Sequence, residues 1–348
     1  MSPYIMTTLL MSLGLGTTIA FASSHWLFAW MGLEINTLAI IPLMASRHHP
    51  RATEAATKYF LIQATASATI LFAAINNAWQ AGHWMIFEDM TPLSNTLLVV
   101  ALALKLGLAP LHGWLPEVLQ GLNLPTGLIL STWQKLAPFS LLLQIHPHNS
   151  SILLVLGVLS TLVGGWGGLN QTQLRKILAY SSIAHLGWMI VVLSFAPGLS
   201  MLAMVMYIAM TSTIFLVLIT SCALTINSLA TSWSTNPLAA ALTSLCLLSL
   251  GGLPPLSGFM PKLLVIHELT KQDLAIPATI TALSALLSLY FYLRLTYTYA
   301  LTSSPNTPTS CTQWRLRPTG HTAWLPITVM ATLLLLPMMP SALALVNH

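Results

Sequence analysis

Long apolar runs separated by short polar punctuation make up almost the whole chain. A run of about 20 apolar residues crosses the hydrocarbon core of a bilayer as a helix. The pattern predicts spans near 3–22, 25–45, 56–79, 94–120, 125–145 and 150–169, and again near 177–196, 199–225, 236–269, 275–300 and 323–344. The fourth and ninth are longer than a bilayer needs and are interrupted by glycine and proline. No gap can hold a soluble domain; the longest connection is about 301–322. The predicted fold class is an all-α polytopic membrane protein of about 11 transmembrane helices, a single membrane domain over 1–348. The first run precedes Ala20-Phe21-Ala22, which resembles a signal-peptide cleavage site. It lacks a positive leading region, so it is expected to be the first membrane helix. Nothing resembles a transit peptide either, which fits synthesis inside an organelle or a bacterium.

Composition agrees with a bilayer as solvent. Of 348 residues, 55% are hydrophobic and only 5% are charged, where a soluble domain carries roughly 25% charged residues. The net charge of +5 does not point to nucleic acid, because twelve basic residues scattered among the spans form no continuous phosphate-binding face. Cys222, Cys246 and Cys311 have no C-x-x-C spacing and no clustered histidines, so no zinc or iron–sulfur site is expected. One disulfide, or thiols acting as small apolar residues, both fit. No glycine-rich nucleotide loop is present. No metal-ligating or cofactor-binding residue is assigned.

Basic residues flanking the spans orient the chain. Arg47, Arg51 and Lys58, then Arg175 and Lys176, then Arg294, Arg315 and Arg317 follow or border even-numbered spans. The opposite connections hold Glu88, Asp89, Glu268 and Asp273, with Lys271 their one base. The first set, with the N-terminus, is expected on the inner, positive side of the membrane, and the C-terminus at His348 on the other.

The two interrupted spans resemble each other. KLGLAPLHGWLPE at 105–117 and LGGLPPLSGFMPK at 250–262 share Gly, Leu, Pro, Leu, Gly and Pro in register at an offset of 145. That offset covers five helices, an odd number, so the second copy is expected inverted. The predicted organisation is a five-helix repeat over 1–145, an inverted repeat over 150–300, and a loop and final helix over 301–348. Inverted repeats with broken helices are the plan of secondary transporters, which place ion sites at the breaks. A proline frees a carbonyl in mid-membrane, tolerable where protein or water surrounds it.

Four charged residues fall at depth: Glu34 in span 2, Lys105 in span 4, Lys135 in span 5 and Lys262 after the break in span 9. A mid-bilayer charge costs about 3 kcal/mol on insertion scales, so such residues face protein or water and serve a pathway. Glu34 with Lys105 also fits a structural salt bridge. Lys135 and Lys262 have no spare carboxylate at their depth. Three ammonium groups against one carboxylate in low dielectric repel one another, so some are expected to exchange protons near neutral pH. His112 in the first break and His185 in span 7 fit either a link in such a relay or ordinary hydrogen-bonded histidines. The remaining histidines, His48, His49, His146 and His148 among them, are given no role. Glu54 and Lys58 are expected to pair at the start of span 3, and Glu117 to help proton uptake or to be simply solvated.

Together the segments 105–117, LAYSSIAHLG at 178–187 and GGLPPLSGF at 251–259 resemble the antiporter-like subunits of respiratory NADH dehydrogenase. HPRATEAATKYFL at 49–61 looks like the vertebrate mitochondrial branch, whose chain is similar to the longer family form without its first three helices. The resemblance covers essentially the whole chain. It implies that Glu34 and Lys105 are the family's interacting pair, Lys135 its central lysine and Lys262 the ionisable residue of the second broken helix. It implies proton translocation across the mitochondrial inner membrane, with NADH, FMN, iron–sulfur clusters and ubiquinone bound by partner subunits and none here. Implied partners are other membrane-arm subunits, chains 4 and 4L as neighbours, nuclear-encoded accessory subunits, and lipids such as cardiolipin. Two other readings remain open at this point: a stand-alone cation/proton antiporter, and a non-conducting assembly scaffold.

Overall fold

The computed structural model describes residues 2–46, 48–88, 90–145, 150–231, 237–301 and 324–338, with 341 and 344. Arg47, Asp89, His146, His148, Cys311, Arg315, Arg317, His348 and the 302–323 connection lie outside the described residues. Every helix or strand element within them is helical: α1 Pro3–Ala22, α2 Trp26–Met44, α3 Pro50–Ala81, α4 Pro92–Leu106, α5 Trp114–Gly121, α6 Leu124–Ser131, α7 Trp133–Gln144 and α8 Ser150–Gly167. There follow α9 Leu174–Leu193, α10 Pro197–Ser221, α11 Ile226–Thr231, α12 Pro237–Gly251, α13 Phe259–Lys271, α14 Ala275–Leu301 and α15 Trp324–Leu334. Six of them (α1, α2, α3, α9, α10 and α14) are long and apolar enough to cross a membrane. Their exteriors are apolar too, with Tyr4, Trp79, Trp166 and Ile276 all strongly exposed. Water would not tolerate that surface; lipid does.

Local sequence explains the helix ends. Pro50 opens α3, where its missing N–H costs nothing, and His49 Nδ1 accepts from Arg51 N–H at 3.2 Å. The fourth and ninth predicted spans are each two helices, α4 with α5 and α12 with α13. The fifth predicted span, read as continuous, is interrupted at Thr132. There Thr132 adopts φ −112°, and both its hydroxyl and its backbone N–H donate to Leu128 O, at 2.7 and 3.0 Å. No glycine or proline announces that interruption.

The chain forms two compact units, Met1–Leu156 and Gly157–His348. In the first, α1 and α2 touch backbone to backbone: a Cβ added at Gly32 would lie 2.8 Å from Gly16 O. Small residues permit this approach where lipid supplies no hydrophobic drive for association. α3 packs on α4 and α5, and α7 on α1, α2 and α4. Trp26 N–H donates to Trp84 O at 3.1 Å and Ile86 N–H to Ser24 O at 2.9 Å, closing one end of the bundle.

In the second unit α9 is the central helix, buried along nearly its whole length. Gly164 of α8 brings that helix onto Ala184 of α9, where an added Cβ would sit 2.6 Å from the Ala184 nitrogen. Trp188, Val191 and Val192 of α9 pack with Leu199, Val265, Leu269 and Ala278 in one apolar cluster. The Ser257 hydroxyl donates to Thr332 O, joining α15 to the interruption of the ninth span.

Candidate functional site

The two interruptions share a backbone device. Gly107 after α4 and Gly252 after α12 both adopt left-handed backbone, at φ +78° and +82°. Only glycine does so without a steric cost. Each turn ends its helix inside the protein and leaves carbonyls there to be satisfied by side chains. After α4, Trp114 Nε1 donates to Leu104 O at 3.1 Å and Gln63 Nε2 to Lys105 O at 3.4 Å. After α12, Lys262 Nζ itself donates to Gly251 O at 2.8 Å and to Leu250 O at 3.4 Å.

Lys105, next to last in α4, is 6% exposed, and Lys135, in the first turn of α7, is 3% exposed. The fold brings them to one small cavity of about 20 Å³, enough for a water molecule. Asn36, Thr37, Tyr59, Gln63 and Gln134 give its wall polar character. Glu34 is close enough to Lys105 to act on it electrostatically, and one of its carboxylate oxygens is buried without a hydrogen bond. Lys105 Nζ likewise makes no hydrogen bond to protein. The pair is therefore an electrostatic couple across space, free of the direct contact that a structural salt bridge would need.

Lys262 and His185 line a second cavity of about 20 Å³, with Gly258 and Pro261 of the interruption on its wall. The His185 ring is buried and lies 5.7 Å from the Tyr207 ring. His112 is placed differently: it is half-buried, its Nδ1 is 3.2 Å from Pro110 O, and it does not line the cavity of Lys105 and Lys135. Glu54 pairs with Lys58 at 2.8 Å, and Glu117 pairs with the same ammonium at 2.8 Å, so this exposed group is a three-charge cluster.

Reasoning from charges alone overlooked the amides. Asn36 and Gln63 are almost fully buried in apolar helices, and Gln134 Nε2 donates to Asn36 O at 3.3 Å. An amide in the middle of a lipid-length apolar run was the available signal, since such a group must find a partner inside.

Residues 23–288 match the family described as NADH:quinone oxidoreductase/Mrp antiporter, transmembrane, and residues 289–343 match the NADH dehydrogenase subunit 2 C-terminus. The chain belongs to this NADH:quinone oxidoreductase/Mrp antiporter family of membrane subunits. Within it, the chain is similar from end to end to proteins named NADH-ubiquinone oxidoreductase chain 2. That of Oncorhynchus mykiss is 65% identical over 99% of both chains, and that of Squalus acanthias 61% identical over 98% of both. Among solved structures, respiratory complex I from Thermus thermophilus with bound aureothin aligns at a TM-score of 0.79 and 29% identity, over 94% of this chain and 78% of that one. An Mrp complex from a Dietzia species aligns at 0.80 over 97% of this chain and 76% of that one, with 18% identity; that likeness concerns the fold alone.

Proposed function

We propose that this chain is a proton-translocating membrane-arm subunit of NADH:ubiquinone oxidoreductase in the mitochondrial inner membrane. The observation that carries the reading is the burial of Lys105 and Lys135 around one polar cavity, with Glu34 acting on Lys105, in a chain of this family. Groups of that kind take up and release protons without any cofactor of their own. NADH, FMN, iron–sulfur clusters and ubiquinone belong, on this reading, to partner subunits. The partners are other membrane-arm subunits, with chains 4 and 4L adjacent, together with accessory subunits and lipids such as cardiolipin.

The chain crosses the membrane eleven times on this reading, with its N-terminus in the matrix and its C-terminus in the intermembrane space. Spans 1–5 and 6–10 form inverted repeats, supported by the matching left-handed glycines Gly107 and Gly252. Glu34 sets how readily Lys105 keeps its proton. The pair is out of direct contact, so the couple is weaker than an ion pair: at an effective dielectric of 20, a carboxylate about 6 Å from an ammonium contributes roughly 2.8 kcal/mol and at about 10 Å roughly 1.7 kcal/mol. Withdrawing it changes the proton's free energy by about 1.1 kcal/mol, the work of moving one charge against about 50 mV. A movement of Glu34 by a few ångströms, driven by quinone chemistry in the partners, shifts the proton from Lys105 toward Lys135. Lys262 serves the second unit with His185 beside it, and His112 stays a peripheral member.

The test is Lys135→Met in the intact complex, reading protons delivered per NADH oxidised in sealed vesicles. A lower ratio at normal assembly is expected. An unchanged ratio at normal assembly rejects the relay.

A further inference from the structure

Glu34 carries a carboxylate oxygen, Oε2, that is buried without a hydrogen-bond partner, a costly state for a charged group away from water. Leu33, Asn36 and Thr37 of α2 line the cavity that Lys105 and Lys135 share, which sets Glu34, one residue on from Leu33, at its flank. Two buried groups on the cavity wall lie within electrostatic reach of the carboxylate. One is Lys105, whose Nζ also makes no hydrogen bond to protein. The other is Tyr59 of α3, which is 2% exposed. The Tyr59 ring stands edge-on to Trp114 at 5.7 Å, and Trp114 Nε1 is itself fixed on Leu104 O at 3.1 Å. One turn further along α3, Gln63 Nε2 donates to Lys105 O at 3.4 Å. The tyrosine is thus held by its ring beside the end of α4, while its hydroxyl bonds no other described residue.

We propose that Tyr59 is the second partner of Glu34, the donor that receives its carboxylate when it withdraws from Lys105, and so a positioning residue for proton release; this rests on the relay reading above. The relay needs Glu34 to move, and a buried carboxylate moves only to a place where another donor meets it. A phenol suits that place. It donates one hydrogen bond and carries no charge, so it satisfies the oxygen without adding a second cation to the cavity. With the carboxylate on Tyr59, Lys105 stands without its counter-charge and yields its proton toward Lys135. No proton passes between Glu34 and Tyr59: the hydroxyl keeps its hydrogen and the carboxylate stays a carboxylate. One N–H bond breaks on Lys105, one forms on Lys135, and no electron changes hands.

The experiment compares Tyr59→Phe, Glu34→Gln and Lys135→Met with the native chain in the assembled complex. It reads protons delivered per NADH oxidised, coupled turnover, and the infrared difference spectrum between the resting and the NADH-reduced complex. Tyr59→Phe removes one oxygen and keeps the ring on Trp114, so native assembly is expected. Coupled turnover is expected to fall roughly tenfold, with a lower ratio, from losing a hydrogen bond to a charged group. The carboxylate band that Glu34→Gln abolishes is expected to shift in Tyr59→Phe, a change that a packing role for the ring would not produce. If Lys135→Met lowers the ratio and Tyr59→Phe does not, Tyr59 is rejected while the relay stands. If Lys135→Met leaves the ratio native, the relay itself falls and the role of Tyr59 with it. If Tyr59→Phe lowers the ratio and leaves the band in place, the hydroxyl acts elsewhere and the proposal is overturned. Should Tyr59→Phe fail to assemble, a high-resolution map of the native complex during NADH turnover decides. A conformer with a Glu34 carboxylate oxygen within hydrogen-bonding distance of the Tyr59 hydroxyl is then required, and its absence overturns the proposal.

Discussion

Replacing Gly252 with alanine perturbs the Lys262 site through the backbone, and a second glycine provides the control. Gly252 sits at φ +82°, and a left-handed alanine costs about 1–2 kcal/mol. Its new Cβ would lie 2.9 Å from Lys262 Nζ and 3.0 Å from Lys262 Cδ. The end of a lysine moves easily, so the strain is relieved by displacing Nζ from Gly251 O, which it now holds at 2.8 Å. A hydrogen bond to a charged group is worth about 1.5–3 kcal/mol, which brings the local cost to roughly 2.5–5 kcal/mol. Gly82 ends α3 at φ +77° with nothing within 4 Å of an added Cβ, so Gly82→Ala incurs the backbone cost alone. Both variants are assembled into the complex and compared by thermal stability and by protons delivered per NADH. Gly252→Ala is expected to be the less stable and to pump fewer protons, while Gly82→Ala loses only stability. Equal ratios in the two variants would refute the claim that the Lys262–carbonyl contact is part of the site.

The remaining predictions concern packing and surface charge. Gly164→Val forces a branched side chain onto the Ala184 backbone, now 2.6 Å from an ideal Cβ; overpacking of this kind costs about 1–3 kcal/mol or more. Less of the chain should be recovered in assembled complex on a native gel. Lys58→Met removes the exposed cluster with Glu54 and Glu117, and the melting temperature of the complex at about 0.15 M salt should stay within error of native, since exposed pairs are screened there. Lys135→Met, in contrast, removes a buried ionisable group from a polar cavity, so its effect should appear in protons per NADH with the complex at native abundance.

Much of the architecture was present in the linear pattern. Apolar length alone specifies membrane helices, because each backbone group in lipid must be satisfied within its own segment. Gly107, Gly252 and the prolines beside them marked the two interruptions, since glycine and proline act on the backbone wherever they fall. Counting residues along those runs predicts Lys105, Lys135 and Lys262 at depth; the structure buries Lys105 and Lys135 and half-buries Lys262. The break at Thr132 was hidden because neither glycine nor proline stands there, and a threonine hydroxyl bonded to the carbonyl four residues back also occurs in an unbroken helix, at Thr211. The convergence of Lys105 with Lys135, and of His185 with Lys262, was equally hidden, because helical periodicity says which residues share a face and says nothing about which face another helix will meet. Asn36 and Gln63 became part of the site only when α2, α3, α4 and α7 came together. A sequence fixes the depth of a charge in the membrane through length; lateral distance between charges is decided by packing, and proton transfer depends on that distance.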